Sequence, residues 1–454
     1  MSFKAALEAD QEVPESWSSY MTTVYRGRKP PSIGSYDPDK LEARAREVTK
    51  GNEAAFLYVF GSAGSNSTDR ANRRAFQKWC FTPKMLIDAS DRNLETTLFG
   101  VKYKSPLLLA PIGVHGMLHP DGELCIAKAA GKMDVPFIMS TAATRSLEDA
   151  AQANGDGPRW YQLYWPRSEP LTLSLLSRAK ASGYKACIIT LDTMCMGWRP
   201  FDLDTAYLPF NHGVGIQVGT SDPVFMQSQA TSLQPDAQNK YGGHEYNKIP
   251  YPFDPAECDA AREAGDEFHT SLKTLGRNWS RQIHSGLFRT WDEIAFVRKH
   301  WEGPLILKGI LHLDDAVKAM EIGCDGVVVS NHGGRQVDGA IPALIALEKV
   351  SANGFNPRIR KAQIEGKFTI LFDSGIRRGS DILKAIALGA QSVLLGRPYM
   401  YGLAISGAEG IEEVVRGILC EAELTLGLCG FSSLDEIWGK GEAVMDKLEL
   451  GFYD

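Results

Sequence analysis

The sequence predicts an α/β fold, a (β/α)8 TIM barrel with an N-terminal helical extension and a long insertion after strand 4. Three observations predict it. Short, wholly apolar runs recur eight times from residue 105 onward, separated by amphipathic stretches. Polar and charged residues gather where those runs stop. One connection, between residues 192 and 304, is far longer than the others.

The apolar runs are 106–112, 136–140, 160–165, 186–191, 304–310, 326–330, 369–372 and 392–395. Short strands that are apolar on both faces belong to a parallel sheet covered by helices. Amphipathic stretches at 122–132, 146–154, 170–182, 313–322 and 379–388 supply such helices. Eight strand–helix units favour a closed barrel over an open doubly wound sheet. Residues 1–104 read as an extension with helices over 37–48 and 67–79 and no run of strands, and the barrel is expected over 105–454. The insertion covers about 200–290 and is rich in Gly, Ser, Gln, Asn and Pro at 210–251. It leaves the C-terminal end of a strand, the active face of such barrels, and reads as a lid. A packing or oligomer-contact role is the alternative.

Composition excludes several classes. With 454 residues, 44% of them hydrophobic and 23% charged, the chain can bury a large core. A net charge of −6, without clusters, gives no case for nucleic acid or an anionic membrane. No apolar run approaches the length of a bilayer span. Residues 1–17 lack the apolar core of a secretory signal. The eight cysteines are scattered and none forms Cys-x-x-Cys, so a reducing, cytoplasmic setting and no metal are expected.

The chemistry-bearing residues follow the strand ends. They are Pro111, Ile112 and Gly113 after the first run, Ser140 and Thr141 after the second, and Gln162 and Tyr164 on the third. Thr190 and Asp192 end the fourth, Lys308 the fifth, and Ser330, His332 and Arg335 the sixth. Asp373, Gly375 and Arg377 end the seventh, and Gly396 and Arg397 the eighth. Each alone could be a loop cap or a surface charge, but a barrel brings all eight ends to one face. Gly375, Arg377, Gly396 and Arg397 stand at the strand ends where this fold usually grips phosphate. His332 beside Arg335, with Asp192 across the barrel, provides a base, its orienting carboxylate and an anion clamp. Lys308 alone leaves open a Schiff-base aldolase, the same fold also serves FMN-dependent isomerases, and a non-catalytic binding barrel is the remaining alternative.

Ser330-Asn331-His332-Gly333-Gly334-Arg335-Gln336 resembles the signature of the FMN-dependent L-2-hydroxy acid oxidases and dehydrogenases. The resemblance extends through Gln162-Leu163-Tyr164, Thr190-Leu191-Asp192-Thr193, Lys308-Gly309-Ile310, Asp373-Ser374-Gly375-Ile376-Arg377 and Gly396-Arg397-Pro398, and back to the stretch opening with Tyr58. It implies His332 as catalytic base with Asp192 as its partner. It implies Arg335 and Arg199 as the clamp on the substrate carboxylate, with Tyr58 and Tyr164 bonding substrate. Lys308 is implied beside the flavin N1–O2 edge, with Gln162, Thr190, Ser330 and Thr141 around the ring and Asp373, Arg377, Gly396 and Arg397 on the ribityl phosphate. Family members commonly form homotetramers or homo-octamers.

Within that family the chain is most similar to the lactate 2-monooxygenase branch, through Gly113, Gly197-Trp198-Arg199-Pro200 and the insertion. The reaction this implies takes L-lactate and O2 to acetate, carbon dioxide and water. The alternative within the family is an oxidase that releases the 2-oxo acid and hydrogen peroxide. Phe201 departs from the branch, where a basic residue is expected.

Overall fold

The computed structural model describes residues 4–5, 15–229, 251, 254–351 and 357–449. Eight parallel strands close into a barrel: β1 (Leu107–Leu109), β2 (Phe137–Ser140), β3 (Arg159–Leu163), β4 (Cys187–Thr190), β5 (Leu305–Ile310), β6 (Gly326–Val329), β7 (Thr369–Phe372) and β8 (Ser392–Leu395). Each pairs with its neighbours in chain order, and β8 returns to β1 through Val393–Leu107 and Leu395–Leu109. The first strand is shorter than its apolar run because Pro111 has no N–H to give a ladder.

Alternation explains why the strands are apolar throughout. Leu108, Ile138, Trp160, Ile188, Ile306, Val328, Leu371 and Leu394, one from each strand, form the barrel's inner cluster. Their neighbours along the strands, such as Leu107, Phe137, Ile189 and Val329, belong to the larger cluster shared with the surrounding helices. Leu98 and Tyr103 join the inner cluster from a hairpin made by strands Thr96–Leu98 and Val101–Tyr103. The Phe99 and Tyr103 rings stand 5.7 and 6.4 Å from that of Trp160. The extension thus contains strands, contrary to the sequence expectation. They are three residues long, too short to show a period of two. A third, Trp79–Phe81, pairs antiparallel with Met445–Lys447 and ties the extension to the segment after the last long helix.

The extension's helices reach the active face. Helix α1 (Glu53–Phe60) starts where the Asn52 side chain accepts from Ala55 N at 3.3 Å, and helix α2 (Ser67–Gln77) follows. Asn72 of α2 exchanges side-chain hydrogen bonds of 2.8 Å with Asn331 after β6. On the barrel wall, helix α3 (Glu123–Met133) follows β1 and packs against β2 and the helix Leu147–Asn154.

The insertion is largely a packed structure within the described residues. Phe210, Val214, Ile216, Val218 and Phe225 are buried, as are Leu272, Leu275 and Trp279 of helix α4 (Glu267–Ile283). The Trp279 ring meets Phe225 edge-on at 5.0 Å. Much of the polar stretch expected as a lid, 230–250 and 252–253, lies outside the described residues. The last long helix, α5 (Arg397–Leu428), is kinked at Ser406 and Gly407. Among the described residues no helix is long and apolar enough to cross a membrane.

Gly276 of α4 lies so close to the Phe210 carbonyl that a Cβ there would overlap it. Gly276→Ala is expected to cost about 1–3 kcal/mol through overpacking, read as a lowered thermal midpoint. An unchanged midpoint would show that α4 can stand off without loss.

Candidate active site

The C-terminal strand ends open into one cleft. Most of the residues selected from sequence line it: Tyr58, Pro111, Ile112, Gly113, Tyr164, Arg199, Lys308, His332 and Arg335, and at the far end Asp373, Gly375, Arg377, Gly396 and Arg397. Ser140, Thr141, Gln162, Thr190, Ser330 and Asp192 lie behind this wall. Gln162 organises that inner belt. Its Oε1 accepts from Ser140 Oγ at 3.2 Å and its Nε2 donates to Thr190 Oγ1 at 2.9 Å, while Thr141 Oγ1 donates to the Gln162 carbonyl at 2.6 Å.

The strand ends converge on a charged knot. His332 Nδ1 is 2.7 Å from Asp192 Oδ1 and 3.0 Å from Thr193 Oγ1, and Thr193 Oγ1 donates to the same carboxylate oxygen at 2.9 Å. Lys308 Nζ lies 3.8 Å from Asp192 Oδ2 and 3.4 Å from Asp373 Oδ2, and donates to Ser330 Oγ at 3.0 Å. His332 has left-handed backbone, φ 58°, and its N–H donates to Ser330 Oγ at 3.0 Å. A non-glycine residue held there is strained, and such strain gathers at functional sites.

Burial sets the protonation states and neighbouring charges decide them. Burial alone would raise the Asp192 pKa, but Lys308 and His332 hold it well below the carboxylate range. Burial would lower that of Lys308, but Asp192 and Asp373 raise it, so the ammonium stays charged. His332 is lowered, first by burial, against the opposing pull of Asp192. It is therefore a neutral imidazole whose Nδ1 faces a carboxylate, which leaves Nε2 as the basic nitrogen.

The two arginines frame the opposite wall. Arg335 Nη1 donates to the Tyr58 and Gly61 carbonyls at 2.7 and 2.6 Å, with its guanidinium 5.2 Å over the Tyr58 ring. Arg199 Nε donates to the Arg335 carbonyl at 2.8 Å and Nη2 to Gln336 Oε1 at 2.6 Å. Burial and then the nearby Arg199 push Arg335 down to about 10, so it remains cationic at neutral pH. Phe201, where a basic residue was expected, meets the Phe60 ring edge-on at 5.7 Å and closes the outer side of α1.

The far end suits a phosphate. Arg377 Nε and Nη2 are enclosed without a hydrogen-bond partner, and the first-turn N–H groups of α5 begin beside Gly396. Arg397 is engaged differently from the sequence expectation. It donates to the Val59, Gly61 and Gly333 carbonyls, to Ser62 Oγ and to Asp69, which makes it a tie between extension and barrel as well as a charge at this end.

Sequence reasoning missed two groups here. His284, which caps α4, lines the cleft beside Tyr164 and Phe210, with ring centroids 5.1 and 5.4 Å away. It sits in the insertion, outside any strand-end motif, so nothing local marked it. Glu123 of α3 is the second. Its carboxylate accepts from His115 N at 3.1 Å, Thr144 N at 2.9 Å and the Thr144 hydroxyl, and so staples the loop after β1 to the loop after β2. Both loops carry cleft residues, Gly113 and Ala142.

A model of the FMN-dependent dehydrogenase family matches residues 46–444. The chain is 42% identical over 425 residues to the FMN-dependent alpha-hydroxy acid dehydrogenase qulF of Penicillium citrinum, covering 93% of this chain and 94% of that one. It is 36% identical over 397 residues to an L-lactate oxidase of Lysinibacillus sphaericus, covering 87% and 89%. A crystal structure of mandelate oxidase superposes with a TM-score of 0.68 at 30% identity, covering 89% of this chain and 97% of that one. The chain belongs to the FMN-dependent dehydrogenase family and is a flavin-dependent oxidoreductase. The phosphate end, with Arg377 Nε and Nη2 free of hydrogen bonds, and the buried Lys308 cation fit such a cofactor.

A Cβ on Gly113 would stand 2.5 Å from the Ala142 carbonyl oxygen and 2.8 Å from the Ala142 Cβ. Gly113→Ala is expected to displace the β1 loop from the β2 loop and to cost about 1–3 kcal/mol, with weaker retention of FMN on dilution. Full retention and unchanged stability would show that the loops separate freely.

Proposed function

We propose that the protein oxidises a short L-2-hydroxy acid at this cleft, with L-lactate and O2 converted to acetate, carbon dioxide and water. The observation that carries the reading is the His332–Asp192 pair facing Arg199 and Arg335 across one cleft. The base, the carboxylate clamp and the phosphate end are what a 2-hydroxy acid and a flavin need, and the relatives' hydroxy-acid chemistry supports it. Lys308 argues against an aldolase, because an ammonium held charged by two carboxylates has no lone pair for a Schiff base.

When bound, FMN supplies the two-electron acceptor. Arg335 and Arg199 fix the substrate carboxylate, and arginine forks orient it as well as bind it. Tyr58 and Tyr164 border the same space and hold the hydroxyl side of the substrate. His332 Nε2 receives the proton that leaves the substrate, and Asp192 stabilises the imidazolium that results. Lys308 places a fixed positive charge where reduction adds negative charge. The inner belt of Ser140, Thr141, Gln162, Thr190 and Ser330 keeps the polar edge of that floor in position, and Arg377, Gly375, Gly396, Arg397 and Asp373 form the phosphate and ribityl end.

Monooxygenase chemistry requires that the 2-oxo acid stay bound while oxygen reacts. The tight apposition of Gly113 on Ala142 and the packed insertion over the cleft favour retention. Release of pyruvate and hydrogen peroxide is the second reading, favoured by likeness to an L-lactate oxidase. A homotetramer or homo-octamer in the cytoplasm completes the proposal. The test is aerobic incubation with L-lactate and joint measurement of acetate, pyruvate and peroxide. Acetate with little peroxide supports the first reading and equal pyruvate and peroxide the second. A flavin that lactate does not bleach removes lactate as substrate.

His332→Gln is expected to retain FMN and to slow flavin reduction by about 10²–10⁴-fold. Near-normal reduction would take His332 out of the base role. Because the His332 pKa is lowered, the neutral base persists to more acid pH than a free imidazole. The reduction rate in stopped flow should therefore hold from neutral pH down to about 6.5 and fall only below that ordinary imidazole value. An acid limb centred above it would contradict the assignment.

A further inference from the structure

The geometry points to His284 as a substrate-binding residue that holds the 2-oxo acid product through a hydrogen bond from its imidazole, and so sets whether that product is retained or released. This rests on the hydroxy-acid oxidation proposed above and names the residue that would decide its outcome.

Four observations meet at this side chain. It lines the cleft that also contains Arg199, Arg335 and His332, so its ring borders the place where a carboxylate clamped by the arginines would sit. Its ring is held by aromatic contacts, 5.1 Å to Tyr164 and 5.4 Å to Phe210, while its backbone N–H donates to the Ser280 carbonyl at 2.8 Å and ends α4. Its Nδ1 is enclosed with no hydrogen-bond partner. A buried polar atom left unpaired carries a desolvation cost that a ligand can relieve. Burial, and after it the nearby Arg199 guanidinium, pushes its pKa down to about 3, so it stands in the site as a neutral ring.

A neutral imidazole has one N–H and one lone pair. A 2-oxo acid offers only acceptor oxygens, so the ring meets it with the N–H side, and the tautomer follows the ligand. His332 has another task, because its Nδ1 faces Asp192 and its Nε2 carries the proton in transit. His284 is therefore a polar group beside Tyr164 in the aromatic part of the wall that can bind product without taking part in proton transfer. It is carried by α4, so the insertion contributes directly to the site and does more than cover it.

Two substitutions separate the polar nitrogen from the ring. His284→Phe keeps a ring of similar size against Tyr164 and Phe210 and removes both nitrogens. His284→Asn keeps a polar group near the position of Nδ1 and removes the ring. Pyruvate titrated into the oxidised holoenzyme, followed by the flavin absorbance change, is expected to bind His284→Phe about 10- to 100-fold more weakly than the parent. His284→Asn should recover most of the loss. In turnover with L-lactate, His284→Phe should raise the half-saturating concentration more than it lowers the limiting rate, and should shift products toward pyruvate and peroxide. Unchanged pyruvate affinity in His284→Phe overturns the inference, as does an Asn variant that loses as much as Phe. The titration reads His284 even if lactate never bleaches the flavin, so failure of this inference and failure of the proposed reaction are distinguishable.

Discussion

The site depends on a charge placed where charge is costly. Lys308 is buried inside the barrel, and its ammonium survives there because Asp192 and Asp373 stand 3.8 and 3.4 Å away on either side. Those two carboxylates come from β4 and β7, so one cation draws the ends of three strands to the same point. Everything polar in the cleft is arranged with respect to it. Asp192, kept ionised by Lys308, can then orient His332. His332, lowered by its burial, can then remain an uncharged base. Removing the lysine would leave two buried carboxylates facing each other, a far worse situation than the absence of all three groups.

Barrel and extension share the work of holding this arrangement. The extension supplies Tyr58 and the carbonyls of Tyr58 and Gly61, which take up donors of Arg335. It also supplies Asn72, which grips the loop bearing the histidine. On the other side, Glu123 joins the first two strand loops from beneath. The catalytic end is thus fixed by buried polar contacts at its rim, where loops would otherwise be free to separate, while the apolar barrel interior fixes only the strands.

Much of this was legible in the sequence, for identifiable reasons. Strands such as Thr369–Phe372 and Ser392–Leu395 appear at their expected bounds because wholly apolar runs flanked by glycine and polar residues have few other homes. Residues at strand ends, His332, Asp192 and Lys308 among them, could be gathered on one face because the fold itself brings strand ends together. What escaped was set by tertiary contact alone. The three-residue strands of the extension carry no readable period. His284 sits at a helix end inside a low-information insertion. The several backbone carbonyls on Arg397 could not be anticipated, since no side-chain motif announces a carbonyl. Gly113 stands in the sequence only as a strand-end residue and a mark of likeness to one branch, whereas the structure shows a backbone carbonyl where its Cβ would stand.

The pairing of Trp79–Phe81 with Met445–Lys447, and of β1 with β8, has a consequence for biogenesis. A ribosome that has delivered the first seven strands has made an open sheet whose first edge still lacks its partner. Arg397, which reaches back to the carbonyls of Val59 and Gly61, is translated after them by more than three hundred residues. The phosphate end of the cleft is therefore incomplete until β8 and the start of α5 have been made. Until β8 is made, the sheet carries an unpaired, strongly apolar strand edge of the kind that pairs with another chain.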